Sequence, residues 1–342
     1  MRASFIAFLS CVAVLKSAFA KPIEFSHEGF SARVSGYGNI GMIEPEFVLK
    51  KSAFLGDWSV RGQMTYDVDD TYRLGMVYSL DQQTVDSDEY IDDLFALWQA
   101  RGIGRIEFGL TDSVAEKLGL GLPDVGGLRM NDNPMFYKEI KPARAVIADT
   151  ILDSGSGAPR LNVVSASNHG NQYGLSVAGF SDDYDFVVDG GIKLRRPEGK
   201  TKTAYSFGAS FMSRPDGFSQ SQWSPNVTAD WRAQFSAAMN LQYNSFMFAL
   251  NVRGIYDENP IGIVSDGIIV GTGVSYDLLK YTVSLTYTFS DTGIWHKDVD
   301  DFMNHTLVSS FRYKYSEVVD GWISAGFSLE TSFIAAGLRA TF

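Results

Sequence analysis

The chain alternates apolar with polar or small residues, segment after segment, in stretches of about ten. Trp58, Val60, Met64 and Tyr66 fall on one parity, and Ser59, Arg61, Gln63 and Thr65 on the other. Tyr72, Leu74, Met76, Tyr78 and Leu80 repeat the pattern, as do Ile106, Phe108 and Leu110 around Arg105 and Glu107. Later segments do the same: Trp231, Ala233, Phe235, Ala237, Met239, Leu241 and Tyr243, then Tyr281, Val283, Leu285, Tyr287 and Phe289, then Ile334, Ala336, Leu338, Ala340 and Phe342. Successive side chains on a strand point to opposite faces, so each segment has one apolar and one polar face. The chain is therefore restricted to an all-β architecture.

A soluble β-sandwich shares this pattern, but three features favour a membrane-spanning barrel. The polar parity carries long charged and amide side chains in mid-segment, which suits a watery interior. Tyrosines gather toward segment ends (Tyr66, Tyr72, Tyr78, Tyr243, Tyr256, Tyr276, Tyr281, Tyr287, Tyr313, Tyr315), as in interfacial girdles. Segments of about ten residues fit a tilted strand crossing a bilayer, whereas globular strands average about five or six. The expected fold is a transmembrane antiparallel β-barrel of about sixteen strands. They cover 30–42, 57–68, 71–80, 93–100, 104–110, 158–166, 172–180, 185–195, 202–213, 230–242, 245–256, 267–276, 280–290, 303–314, 317–328 and 332–342. The count is open by two, and the facing of 93–100 and 158–166 is ambiguous. Short turns alternate with long links at 82–92, 112–157, 214–229, 257–266 and 291–302, while the turn near 196–201 reads as longer than its class.

Residues 1–20 supply a positive start at Arg2, an apolar stretch from Phe5 to Leu15, and the small-x-small site Ala18-Phe19-Ala20. This reads as a secretory signal peptide cut before Lys21, leaving 21–342 as the barrel domain. A short N-terminal anchor is the alternative, and Lys16 interrupts it. Cleavage removes Arg2, Lys16 and the only cysteine, Cys11, so the net charge of −11 becomes −13. The mature chain has no disulfide, thiolate metal site or cysteine nucleophile. The mean hydropathy of the full chain, −0.05, is too polar for a helical membrane protein. Its acidity is the reverse of what a nucleic-acid binder shows.

Three stretches resemble the general, non-specific porins of Gram-negative bacteria. VSGYGNIGM (34–42) is similar to the family's first strand, and GIGRIEFGLTDS (102–113) to its fifth strand and the start of the following loop. AAGLRATF (335–342) is similar to its last strand with a terminal Phe. The resemblance implies a homotrimer of sixteen-stranded barrels in the outer membrane, in contact with lipopolysaccharide and outer-membrane lipid. Each barrel would pass ions and small hydrophilic solutes by passive diffusion, without a cofactor. It implies too that the outer-membrane assembly machinery reads the last strand through Phe342, and that the third extracellular loop folds inward.

That loop is the 111–150 stretch, with Asp112, Glu116, Asp124 and Asp132 as candidate carboxylates of the pore constriction. Strand parity turns Arg33, Arg61, Arg73 and Arg105 toward the lumen, and the resemblance implies an arginine cluster opposite the loop acids. Such a pair of walls sets a transverse field that favours polar solutes over apolar ones. The charge of −13 predicts a weak cation preference, against which the arginines act. Acid clusters at Asp86, Asp88, Glu89, Asp92 and Asp93, and at Asp298, Asp300 and Asp301, read as solvated loop charge, with a lipopolysaccharide-bridging cation as the alternative and, for the first cluster, a trimer contact that the resemblance implies.

No enzyme is expected. His27, His169, His296 and His305 have no persuasive serine partner, and there is no G-x-S-x-G. The alternative function is a substrate-specific channel for a sugar or other nutrient, with Tyr37, Trp98, Phe180 and Trp322 as candidate inward aromatics.

Overall fold

The computed structural model describes residues 22–45, 53–83, 91–123, 152, 159–181, 184–213, 231–258, 264–292, 303–328 and 332–342. The strands are β1 (Ile23–His27), β2 (Phe30–Pro45), β3 (Ala53–Asp67), β4 (Tyr72–Gln83), β5 (Ile91–Ala100), β6 (Gly104–Leu110), β7 (Pro159–Ser165), β8 (Gln172–Ser181) and β9 (Tyr184–Glu198). They continue with β10 (Thr201–Ser213), β11 (Trp231–Tyr243), β12 (Phe246–Glu258), β13 (Val264–Leu278), β14 (Tyr281–Thr292), β15 (Met303–Lys314), β16 (Val319–Ser328) and β17 (Ser332–Thr341). One short helix, α1 (Val114–Leu118), follows β6.

From β2 onward each strand pairs antiparallel with the next, and β17 returns to β2, from Pro45 opposite Phe333 to Tyr37 opposite Thr341. Sixteen strands thus close into a ring, and closure removes the sheet edges that would otherwise invite aggregation. Phe342 and Gly36 exchange backbone hydrogen bonds of 2.9 Å at the seam. β1 was not anticipated. It turns back through Glu28-Gly29 and pairs with Phe30–Val34, on the edge of β2 beyond the end of β17. Its alternation is only five residues long, too short to read as a spanning strand.

The turns at 28–29, 68–71, 101–103, 166–171, 199–200, 244–245, 279–280 and 315–318 all lie at one end of the ring, here the turn end. The link at 199–200 is a tight two-residue turn, because β9 and β10 pair all the way to Glu198 and Thr201. The longer connections at the opposite end run largely through residues outside the described ones.

Polarity is inverted relative to a water-soluble domain. Phe108 and Leu175 are 63% and 65% exposed on the outer face, while Asn162, Ser176, Asn251 and Thr286 are buried on the inner one. On β5, Asp93, Phe95 and Leu97 are buried and Leu94 and Trp98 exposed. On β7, Arg160, Asn162 and Val164 are buried and Leu161 and Val163 exposed. This resolves both ambiguous facings. Trp98 therefore points outward, where it stacks on Tyr72 at 5.8 Å, and it is not an inward aromatic.

Candidate functional site within the barrel

The wall from β6 to β11 carries a continuous inward row of polar residues. Glu107, Asn162, Ser176, Asp189, Ser210 and Gln234 are successive cross-strand partners, and all are buried. The neighbouring row runs Arg105, Val164, Gly174, Gly191, Gly208, Ser236 and Arg253. Its three consecutive glycines leave a shallow trough on the inner wall, and α1 lies in it. A Cβ on Gly174 would stand 3.0 Å from Val114 Cγ1. One on Gly191 would meet the Val114 carbonyl at 3.0 Å and Ala115 Cα at 3.1 Å. Val114, Leu118 and Val164 form a buried apolar cluster there.

The chain leaving β6 is tied to this wall in steps. Ser113 caps α1 by accepting from the Glu116 N–H at 3.1 Å. The Ala115 N–H donates to Asp189 at 3.0 Å, and the Leu120 N–H to Ser206 at 3.1 Å. Asn251 donates to the Leu120 carbonyl at 2.6 Å. Pro123 packs over Gly273 on β13. Residues 111–123 thus run along the inner face from β6 to β13. Leu152 is buried near Gly208, while 124–151 and 153–158, with Asp124 and Asp132, lie outside the described residues.

Ion pairs stud the same surface. Arg160 and Asp189 pair at 3.2 Å with essentially no solvent exposure. Glu107 is bound by Arg105 and Lys117, each at 2.6 Å, and by the Asn162 amide at 3.1 Å. Arg61 donates to Asp93 at 2.8 Å across two strands. Near the turns, Arg73 grips Asp67 through two nitrogens at 2.6 and 3.2 Å, and Arg101 approaches the same carboxylate at 3.0 Å. Asp93 reads in sequence as part of a loop acid cluster, yet it is an inward wall residue. Opposite, at the closing seam, Trp322 lies between Gly41 and Gly337 and donates to Asn39 at 2.9 Å.

Solved structures share this architecture. Salmonella typhi OmpF, in complex with daunomycin, superposes with a TM-score of 0.69 at 10% identity, over 94% of this chain and all of that one. OmpT of Vibrio cholerae with loop L8 deleted, an outer membrane protein, gives 0.66 at 11% over 92% and 100%. An anion-selective porin from Comamonas acidovorans gives 0.64 at 11% over 92% and 100%. The chain has the porin fold. No family model matches the sequence, and the comparison with curated proteins finds no match.

Within the porin fold the expected site residues take these places. Asp112 and Glu116 lie in the segment that follows the inner wall. The Asp112 carbonyl accepts from Asn162 at 2.9 Å, and Glu116 is in the first turn of α1. Arg73 and Arg105 share one cross-strand row with Gln99 between them, close to the turn end. Arg61 stands further into the barrel, in a row with Ser79 and Asp93. Arg33 is exposed and lies 3.5 Å from Glu24 of β1. Each of these four arginines therefore has a carboxylate neighbour of its own. Asp86, Asp88, Glu89, Asp298, Asp300 and Asp301 lie outside the described residues, and so does the leader, 1–20.

Sequence reasoning missed the glycine trough and the buried Arg160–Asp189 pair. A signal for the first was present, since Gly174, Gly191 and Gly208 are equally spaced along the chain.

Proposed function

We propose that the protein is an outer-membrane porin, a channel through which ions and small hydrophilic solutes diffuse. The observation that carries this reading is the inverted polarity of a closed sixteen-stranded ring. Lipid satisfies the exposed apolar exterior, and water satisfies the polar interior. Outward aromatics support it: Phe186, Phe211, Trp231 and Tyr256 form a chain of contacts of 5.2–6.1 Å on the long-connection side. Tyr281, Tyr313 and Tyr315 form another near the turns. Two such belts fit the two interfaces of a bilayer.

The segment after β6 narrows the pore in this reading. Asp112 and Glu116, with Asp124 and Asp132 further along, form its acidic side, and Arg33, Arg61, Arg73 and Arg105 its basic side. The chain is exported with residues 1–20 as a cleaved signal peptide. It assembles as a homotrimer amid lipopolysaccharide, after the assembly machinery has read the strand ending in Phe342. Liposome swelling tests the function. Vesicles containing the protein should swell in pentoses and hexoses, and progressively less in larger oligosaccharides. Vesicles that remain tight to all of them would rule it out.

A further inference from the structure

At the turn end of the interior, beneath the segment that follows α1, lies a cavity of about 480 Å³. Its lining includes Leu120, His169, Arg195, Lys202, Asn240 and Gln242, and no acid among the described residues. We infer that this cavity is a binding site for a small phosphorylated solute, such as a sugar phosphate. The inference rests on the water-filled lumen proposed above.

The strand register explains why the bases converge. Arg195 and Asn240 share one cross-strand row through Ala204, and Lys202 and Gln242 are partners in the next row toward the turns. His169 sits in the β7–β8 turn with a φ of 50°, and a Cβ on the adjoining Gly170 would stand 2.9 Å from Arg195 Cβ. The Arg195 backbone N–H donates to Asn171 at 2.8 Å, which pins β9 to that turn. Leu120 roofs the cavity and is itself held by Ser206 and Asn251.

The chemistry suits a phosphate ester. Residues 193–202 hold Lys193, Arg195, Arg196, Lys200 and Lys202 against one acid, Glu198, in a chain of net charge −11. Among the described residues neither Arg195 nor Lys202 enters an ion pair, unlike the basic residues near β3–β7. A guanidinium fork and an ammonium together match the geometry and charge of a phosphoryl dianion. Asn240 Oδ1 is buried without a hydrogen-bond partner among the described residues. A sugar hydroxyl would satisfy it. The volume suits a ligand of that size.

Titration calorimetry on the detergent-solubilised mature chain tests the site, with glucose 6-phosphate and glucose as probes. Saturable binding of glucose 6-phosphate and none of glucose is expected. R195Q and K202Q should each weaken it about tenfold, the loss of one charge-assisted contact. R195K, which keeps the charge and loses the fork, should bind between the parent and R195Q, and K280Q, at a different turn, should change nothing. Both altered side chains are exposed, and retention of the unheated electrophoretic form checks that each variant is folded. Absence of saturable binding, or equal binding by R195Q and K202Q, overturns the site. Conductance without phosphate binding would remove the site and leave the channel. Binding without conductance would remove the channel and leave the site.

Discussion

Arg160 and Asp189 meet at 3.2 Å on the inner wall, both almost wholly withdrawn from solvent, and the second carboxylate oxygen of Asp189 accepts the Ala115 N–H. One ion pair thus joins β7 to β9 and also fastens the segment that runs along the inner wall. Replacing Asp189 removes this carboxylate from a buried guanidinium and the acceptor of the Ala115 N–H at one stroke.

D189A should therefore lower stability by about 3–5 kcal/mol, the usual cost of orphaning one partner of a buried pair. Denaturant unfolding from lipid vesicles measures this. A loss under about 1 kcal/mol, the range of exposed pairs, would mean that water screens the pair after all.

The glycine trough makes a steric prediction. G191V places atoms where the Val114 carbonyl and Leu118 already are, so α1 must leave the wall. Single-channel conductance should change, and proteolytic cleavage within 111–123 should appear in folded protein. G38A adds a methyl where no heavy atom lies within 4 Å and should behave as the parent chain. Identical behaviour of the two variants would contradict the packing.

The outer face makes an energetic one. Leu175 is among the most exposed apolar side chains, and its strand neighbour Ser176 is buried on the opposite face. L175K should cost about 2–4 kcal/mol of folding free energy in a bilayer, as a lysine near the midplane does. In detergent, where the micelle adapts, the same substitution should cost much less. Equal cost in both media would argue against lipid contact at this position.

Arg61 bears on selectivity. Its guanidinium is partly exposed, whereas its partner Asp93 is buried. R61Q removes one positive charge from the lumen and leaves Asp93 uncompensated. The reversal potential in a salt gradient should move toward stronger cation preference. The parent channel should itself be weakly cation-preferring, in line with its acidity. An anion-selective sign in the parent would overturn that expectation.

Much of this was legible because period two is read directly from side-chain order. The inward parity of Arg61, Arg73, Arg105 and Glu107 follows from their neighbours alone. The facing of β5 was not legible, since Leu94, Phe95, Ala96, Leu97 and Trp98 are apolar on both parities; Phe95 and Leu97 are inward residues that stay dry, with Lys117 over the Phe95 ring at 4.7 Å. Contacts between distant residues were not legible either. Arg61 meets Asp93 only through the registers of β3–β4 and β4–β5. Arg160 meets Asp189 only through those of β7–β8 and β8–β9. Register is a property of paired strands, and alternation within one strand does not encode it.

The most direct test is current through a planar lipid bilayer after addition of the purified, refolded chain. The account predicts discrete, long-lived steps of ohmic current in potassium chloride. Those steps should carry larger organic ions with falling conductance as ion size approaches the narrowest width. A chain that inserts and keeps its unheated electrophoretic form, yet leaves the bilayer insulating, would contradict a water-filled lumen.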